Sequence, residues 1–337
     1  MTLTYKAIEL HEFADTFRAG SRTVDLDRRP PGPGEVQVRN LYCGINGIFD
    51  TQIARNAVDY VSIGLPTLTG VEAMGTVEAC GEGVTEFAEG DAVVTTRFPS
   101  GYREWNIAPA AGFIKVPDTR PEWLVLASTG VSAYLALTHI AQLKPGDTVA
   151  ISAAAGGLGH LLVQIAKHHG CHVVAVCGGP KKTAFVTSLG ADRAIDYKSE
   201  SVADVLAQEY KDGLDVAIDT VSGSIFDAFL DNVAPHGRVV VSGAAQDLEG
   251  RPEIVTGPRV GNKLYYKGAS VRGFMNGLLT DHWPAARAWM FDRFAAGDLK
   301  VVFDEQVFAG LEGVQDAIEH LLSGQSMGKV IARLRPD

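Results

Sequence analysis

Two hydrophobic patterns divide this chain into a first part rich in short β-type runs and a second part in which helices alternate with strands. Up to about residue 120, the β-type runs at 35–42, 75–80 and 91–96 are separated by clusters of glycine and proline. Short strands at this spacing are typical of a compact, barrel-like β domain rather than of β-α-β units.

The second part, from about residue 122, repeats a strand followed by a helix. Apolar strands are predicted from 148 and at 171–176, 193–197, 215–219, 237–243 and 270–274. Helical patterns at 159–170, 181–189, 201–210 and 226–233 separate them. Five or six such units in a row predict a doubly wound parallel sheet. The tail from about residue 300 has one helix at 313–322, and we expect its strands at 301–303 and 329–334 to rejoin the first domain.

Composition narrows the class of protein. With 337 residues and 46% hydrophobic residues, the chain is long enough for about two domains with large cores. The formal charge of −10 disfavours nucleic-acid binding, which needs a basic face. No signal-peptide pattern follows Met1. The longest apolar stretch, 124–137, is interrupted by Ser128 to Gly130 and is too short to span a bilayer. We therefore expect this stretch to form a buried core helix. The four cysteines form no CxxC pair. These features predict a soluble cytoplasmic protein without a membrane partner.

The strongest local signal is the stretch TVAISAAAGGLG at 148–159. It is predicted to form a strand, a tight turn and the first turn of a helix, with the spacing Ala154-x-Gly156-x-x-Gly159. This is the dinucleotide-binding fingerprint with alanine at its first glycine. Backbone amides and the helix dipole at such a turn bind a pyrophosphate.

The end of the second predicted strand indicates which dinucleotide binds. An NAD site usually has an acidic residue there, to bind the ribose hydroxyls. The segment at 176–182 reads VCGGPKK and contains no carboxylate. Lys182, and Tyr197 at the end of the third strand, suit a 2′-phosphate instead, so the sequence favours NADPH over NADH.

Motifs along the whole chain resemble those of the medium-chain dehydrogenase/reductase superfamily. The closest resemblance is to its zinc-independent branch of quinone oxidoreductases and prostaglandin or enone reductases. The matching segments are CGING at 43–47, GVEAMG at 70–75, GVSAY at 130–134, AAAGGLG at 153–159, LGAD at 189–192, DYK at 196–198 and MGKV at 327–330. The resemblance implies an α/β protein with a GroES-like β-barrel catalytic domain, residues 1–121 and 298–337, and a Rossmann NADPH-binding domain, residues 122–297.

The same resemblance implies a set of cofactor contacts and a homodimer. The expected NADPH-binding residues are Thr129, Gly156, Gly157, Leu158, Gly159, Gly178, Lys182, Tyr197, Thr220, Ser242, Gly243, Ala244, Phe274, Met275, Asn276 and Ser326. Relatives commonly pair through the edge strand of the Rossmann sheet, here near 270–274.

A catalytic zinc ion is not expected. In the zinc-dependent members a cysteine stands where this chain has Asn46, and a His-Glu pair stands where it has Val71 and Glu72. Neutral asparagine and valine cannot replace a thiolate and an imidazole around Zn²⁺.

The reaction that fits a site without a metal is hydride transfer from NADPH to the β-carbon of an α,β-unsaturated carbonyl compound, or to a quinone. Negative charge then develops on the carbonyl oxygen and requires hydrogen-bond donors placed in advance. Asn46 and Tyr60 are the candidate catalytic residues, and Tyr60 or water protonates the α-carbon. Two further alternatives are an enoyl reductase acting on carrier-bound thioesters and a non-catalytic NADPH-binding protein.

Overall fold

The computed structural model describes residues 3–58, 62–246, 254–257 and 259–334. In chain order, the strands are β1 (Thr4–Leu10), β2 (Ser21–Asp27), β3 (Glu35–Gly44), β4 (Thr67–Leu68), β5 (Ala73–Cys80), β6 (Ala92–Thr95), β7 (Trp105–Pro109), β8 (Ile114–Lys115), β9 (Thr148–Ile151), β10 (His172–Cys177), β11 (Arg193–Asp196), β12 (Leu214–Asp219), β13 (Val233–Val241), β14 (Ser270–Gly273), β15 (Phe308–Ala309) and β16 (Ile331–Arg333). The helices are α1 (Phe17–Gly20), α2 (Gly47–Ala54), α3 (Glu122–Ile140), α4 (Gly159–His168), α5 (Pro180–Ser188), α6 (Val202–Glu209), α7 (Gly223–Asp231), α8 (Gly261–Tyr265), α9 (Trp283–Ala295) and α10 (Glu312–Leu322).

The chain divides into two compact units. The first consists of Met1–Ser128 and Phe303–Asp337, and the second is Thr129–Val302. Both boundaries lie a few residues further along the chain than the sequence predicts, and the first of them falls within helix α3.

The first unit is built from mainly antiparallel sheets of short strands, in which β15 and β16 form a parallel pair. Among the described residues, a larger sheet has the order β15-β16-β3-β5-β6-β8, with β7 also paired to β3, and a smaller one has the order β2-β1-β4. Strand β16, from the end of the chain, pairs antiparallel with β3 so that Ile331 lies opposite Gly44. The tail strand therefore contributes to the same sheet as β3 and β5.

The second unit contains a parallel sheet whose central strands are largely buried and apolar. In the described part of this unit its order is β11-β10-β9-β12-β13-β14, and each neighbouring pair is parallel. Parallel strands covered by helices on both faces read as continuous apolar runs, which is the pattern of β9, β10 and β12. The predicted combination of a β domain and a domain with a parallel, strand-helix sheet is confirmed.

The strand predicted at 301–303 is absent; within the described residues only a bridge between Phe303 and Lys329 forms there. Side chains of helix α4 form hydrogen bonds with the backbone of this segment and of Lys300, which precedes it. Gln164 accepts a hydrogen bond from the Lys300 amide at 2.8 Å and donates to its carbonyl at 2.9 Å. His160 Nε2 accepts from the Val302 amide at 3.3 Å.

Helix α3 is longer than the apolar stretch in the sequence suggests. It runs for 19 residues because Ser128 to Gly130 do not end it but lie in a wider π-helical turn, Leu126–Gly130. In the part of the chain that the structure describes, it is the one helix long and apolar enough to cross a membrane, by length and composition alone. Since 61% of its most apolar window is buried inside the protein, it has the burial of a core helix.

Candidate active site

The turn that follows β9 gives the positions of the fingerprint separate steric roles. Ala153 has a left-handed φ of 45°, so the chain reverses tightly before helix α4. A Cβ at Gly159 would lie 2.6 Å from the Cα of Ala154, so glycine is required for the helix to pack this closely. Among the described residues, a Cβ at Gly156 would meet only the carbonyl oxygen of Ala153, at 3.3 Å. The bare backbone at Gly156, beside the N-terminus of α4, therefore fits an approaching pyrophosphate.

Most of the other predicted cofactor residues follow the carboxyl ends of the parallel strands. These are Gly157 and Leu158 after β9, Gly178 after β10, Tyr197 after β11, Thr220 after β12, Ser242, Gly243 and Ala244 after β13, and Phe274, Met275 and Asn276 after β14. Because the strands are parallel, these ends lie along one edge of the sheet. Ligands of open α/β sheets bind outside this edge.

A polar network connects three of these strand ends, those of β9, β12 and β13. Asp219 Oδ1 accepts a hydrogen bond from Ser152 Oγ at 2.8 Å, and its Oδ2 accepts from the Ser222 amide at 2.9 Å. Burial raises the pKa of Asp219 although these donors oppose the shift. The Ser242 amide donates to the Asp219 carbonyl at 2.7 Å. Ser242 Oγ is buried without a hydrogen-bond partner among the described residues, a costly state that a bound cofactor would relieve.

The adenosine end of the candidate site combines an aromatic ring, a lysine and a carboxylate. The ring of Tyr197 lies on Gly178, where a Cβ would be 2.8 Å from its Cζ, and Lys182 lies in the first turn of α5. Asp196 Oδ1 accepts a hydrogen bond from the Gly179 amide at 2.7 Å, and backbone donors lower the pKa of Asp196. The end of β10 itself carries no acid, as the sequence predicts, and the carboxylate beside Gly179 belongs to the neighbouring strand β11.

The residues predicted near the nicotinamide are divided between the two units. In the second unit, Phe274 packs on the cluster that contains Val131, and Asn276 Oδ1 accepts a hydrogen bond from Trp283 Nε1 at 2.8 Å. Thr129 lies in the π-helical turn of α3. Ser326 belongs to the first unit, in the loop between α10 and β16.

The first unit places Asn46 in a hydrogen-bonded network with two buried charges. Glu72 is fully buried, and its Oε1 lies 2.7 Å from Lys329 Nζ. Lys329 Nζ also donates to the Ile45 carbonyl at 3.0 Å and to Asn46 Oδ1 at 3.3 Å. Asn46 Nδ2 donates to Glu72 Oε1 at 3.3 Å. Asn46, which directly precedes helix α2, is the partly exposed member of this network.

A second buried polar pair joins Asp50 of helix α2 to Tyr102 in the segment that precedes β7. Tyr102 Oη donates to Asp50 Oδ2 at 2.6 Å, and both side chains are buried. Burial raises the pKa of Asp50 to about 7, although the hydrogen bond from Tyr102 and the charge of Lys329 oppose the shift. Burial also raises the pKa of the Cys43 thiol, which makes it a poor source of thiolate. Tyr60, the second predicted catalytic residue, lies outside the described residues.

The raised pKa of Asp50 predicts a pH-dependent cost in stability. The pKa of Asp50 rises from about 3.8 in the unfolded chain to about 7 in the folded one. The folded protein therefore binds this proton more tightly than the unfolded chain does. The resulting stabilisation of the fold is fully present at low pH and is lost as the pH rises through the folded pKa. Between about pH 5 and pH 8, the free energy of unfolding of the wild type should fall by about 2–3 kcal/mol relative to Asp50→Asn. Urea unfolding of both proteins at both pH values measures this difference. A difference that is the same at both pH values would contradict the prediction.

The network around Glu72 does not fit a catalytic zinc ion. Of the positions that hold ligands in zinc-dependent relatives, Asn46 and Val71 supply neither a thiolate nor an imidazole, and Glu72 is paired with an ammonium group. No group of three or more His, Cys, Asp and Glu side chains within the described residues could hold a metal ion. An ammonium group, not a metal, compensates the buried carboxylate.

Sequence reasoning missed Lys329, Asp50 and Asp219 as members of polar networks. Asp219 carried a weak signal, since it ends a largely apolar predicted strand. Lys329 is separated from Asn46 by 283 residues, so no local pattern connects the two.

Comparisons with known proteins agree on both units. Residues 32–118 match the alcohol dehydrogenase GroES-like domain, and residues 157–292 match the zinc-binding dehydrogenase family. The chain is similar to prostaglandin reductase-3 of Mus musculus, with 35% identity over 90% of this chain and 82% of the relative. It is 33% identical to a probable quinone oxidoreductase of Leishmania amazonensis over 98% of each chain. Among solved structures, Escherichia coli quinone oxidoreductase complexed with NADPH has a TM-score of 0.83 at 26% identity and covers 97% of this chain and 99% of its own.

Proposed function

Because the chain belongs to the zinc-independent branch of quinone and enone reductases in the medium-chain dehydrogenase/reductase superfamily, we propose that it reduces the activated C=C bond of α,β-unsaturated carbonyl compounds. The protein is an NADPH-dependent oxidoreductase, and its cofactor is NADPH. The observation that carries the proposal is the Asn46 amide, a neutral hydrogen-bond donor held by buried partners at a position where zinc-dependent relatives have a metal ligand.

NADPH, when bound, supplies a hydride to the β-carbon of the substrate. The residues of the chain then have two tasks, which are to stabilise the negative charge on the carbonyl oxygen and to deliver a proton to the α-carbon. An amide N–H of Asn46 donates to the oxygen, as oxyanion-hole donors do. The proton comes from Tyr60 or from water, and comparison of Tyr60→Phe with the wild type distinguishes them; an unchanged rate would exclude Tyr60.

Quinone reduction is the second candidate, since one similar relative is named a probable quinone oxidoreductase. Both reactions place negative charge on a carbonyl oxygen, so Asn46 serves either. Initial rates of NADPH oxidation with conjugated enones, quinones and saturated ketones test the proposal. Turnover of enones with no turnover of saturated ketones is expected. Turnover of quinones alone would favour the second candidate, and no turnover with either class would contradict both.

Lys182 is proposed to bind the 2′-phosphate of NADPH. Lys182→Ala should weaken NADPH binding by about 1–3 kcal/mol, the scale of a charged hydrogen bond, and leave NADH binding nearly unchanged. Fluorescence titration of both cofactors measures the effect. Lys211→Ala is the matched control. Lys211 is an exposed lysine that precedes the amino end of β12, whereas the predicted cofactor residues follow the carboxyl ends of the strands. An equal loss for the two cofactors would contradict this assignment.

The protein is also proposed to form a homodimer through strand β14. This strand ends the described order of the parallel sheet, and Val271 on it is partly exposed. Tyr265 and Tyr266, shortly before it, are 80% and 83% exposed, which is unusual for large aromatic side chains. Sedimentation equilibrium should give the mass of two chains, and the mass of one chain would contradict the proposal.

A further inference from the structure

Three oxygen atoms surround the Lys329 ammonium group inside the first unit. It donates hydrogen bonds to the Ile45 carbonyl at 3.0 Å and to Asn46 Oδ1 at 3.3 Å, and it forms an ion pair with Glu72 Oε1 at 2.7 Å. An ammonium group has donors and no acceptor, so an oxygen atom is the partner it requires in each direction. Lys329 is only 4% exposed and Glu72 is fully buried. A buried pair of this kind has little conformational freedom.

This arrangement decides which way the Asn46 amide faces. Lys329 can only donate and the Glu72 carboxylate can only accept, so Oδ1 of Asn46 must face the lysine and Nδ2 must face the glutamate. The opposite orientation would direct NH₂ hydrogens at an ammonium group and an oxygen at a carboxylate. Nδ2 carries two hydrogens, and Glu72 accepts one of them.

The backbone delivers these groups from three separate segments of the fold. Asn46 follows the end of β3, Glu72 directly precedes β5, and Lys329 precedes β16. Both β5 and β16 pair with β3, which fixes the spacing of the three side chains. Glu72 lies against the bare Cα of Gly44, where a Cβ would be 2.6 Å from its carboxyl carbon.

We propose that Lys329 is a positioning residue that, with Glu72, fixes the Asn46 amide so that its second N–H points to the carbonyl oxygen of the substrate. The proposal rests on the proposed function, which gives Asn46 its contact with the substrate. The competing role for Lys329 is direct electrostatic stabilisation of the developing negative charge. The two roles differ in whether the effect of Lys329 depends on Asn46.

A double-mutant cycle between Lys329 and Asn46 separates these roles. Lys329→Met alone would leave the buried Glu72 uncompensated and could unfold the protein, so the cycle uses Lys329→Met with Glu72→Gln, which removes both charges at similar volume. If Lys329 acts through Asn46, this pair should lower kcat by roughly tenfold or more in the wild type but by less than about threefold in Asn46→Ala. KM for NADPH should stay unchanged throughout.

Equal losses in the two backgrounds would overturn the positioning role. Lys115→Met is the matched control, since Lys115 forms an ion pair with Asp91 at 2.6 Å in the same unit and should leave kcat unchanged. A crystal structure of the Lys329→Met, Glu72→Gln protein gives a readout that needs no substrate. We expect the Asn46 side chain to leave its wild-type orientation, and an unmoved side chain would also overturn the inference. Lack of turnover by the wild type would contradict the proposed function but not this structural result.

Discussion

Gly156→Val is expected to abolish NADPH binding while leaving the protein folded. A Cβ at Gly156 meets only the Ala153 carbonyl oxygen among the described residues, at 3.3 Å, and the φ of Gly156 lies outside the left-handed region. The valine side chain would therefore occupy the space beside the α4 N-terminus that the pyrophosphate needs. Loss of one or two charge-assisted hydrogen bonds weakens binding by about 3 kcal/mol or more, which is roughly 100-fold. Fluorescence titration measures the affinity, and circular dichroism measures the fold.

Gly159→Val provides the contrasting variant for this prediction. Its side chain would collide with the backbone of Ala154, where even the Cβ would lie 2.6 Å from Cα, so it should destabilise the second unit itself. The thermal midpoint should therefore fall strongly for Gly159→Val and little for Gly156→Val. Unchanged NADPH affinity in a folded Gly156→Val protein would show that the turn after β9 does not bind the pyrophosphate.

Asn46→Ala should lower kcat for enone reduction by about 100-fold, the usual cost of removing one oxyanion-hole donor. KM for NADPH should not change, because the residues predicted to bind the pyrophosphate and the 2′-phosphate lie in the other unit. The fold should persist, since Lys329 keeps its contacts with Glu72 and with the Ile45 carbonyl. Stopped-flow single-turnover measurement of NADPH oxidation isolates the chemical step.

The control for Asn46→Ala is Asn262→Ala, which removes an exposed amide from helix α8. Its single-turnover rate should equal that of the wild type. A loss of less than about tenfold in Asn46→Ala would exclude an oxyanion-hole role for this residue, because such donors contribute more than that.

Local steric rules made the dinucleotide turn predictable. The spacing of Gly156 and Gly159 from the end of an apolar strand is a short-range property of the sequence. In the structure, Gly156 faces open space and Gly159 packs closely against the backbone of Ala154. The repeated pattern likewise predicted the strands and helices of the second unit in their order along the chain, because the period of the apolar residues is set by local geometry. Contacts within one or two neighbouring elements could therefore be predicted from the sequence.

Contacts between segments that are distant in the chain could not be predicted in this way. Asp196 reaches Gly179 only because parallel strands β10 and β11 end side by side. Lys329 reaches Asn46 only because β16 pairs with β3. The predicted strand at 301–303 is affected by a non-local contact as well, since the Val302 amide donates to His160 Nε2 of helix α4. Non-local pairing therefore determines the polar networks of both units.

Transfer of deuterium from NADPH labelled at C4 of the nicotinamide tests the central claim most directly. With a conjugated enone as substrate, the label should appear on the β-carbon, and a solvent proton should appear on the α-carbon of a saturated ketone. Nuclear magnetic resonance of the product locates both. An allylic alcohol with the label on the former carbonyl carbon would contradict the account, because it would show reduction of C=O instead of C=C.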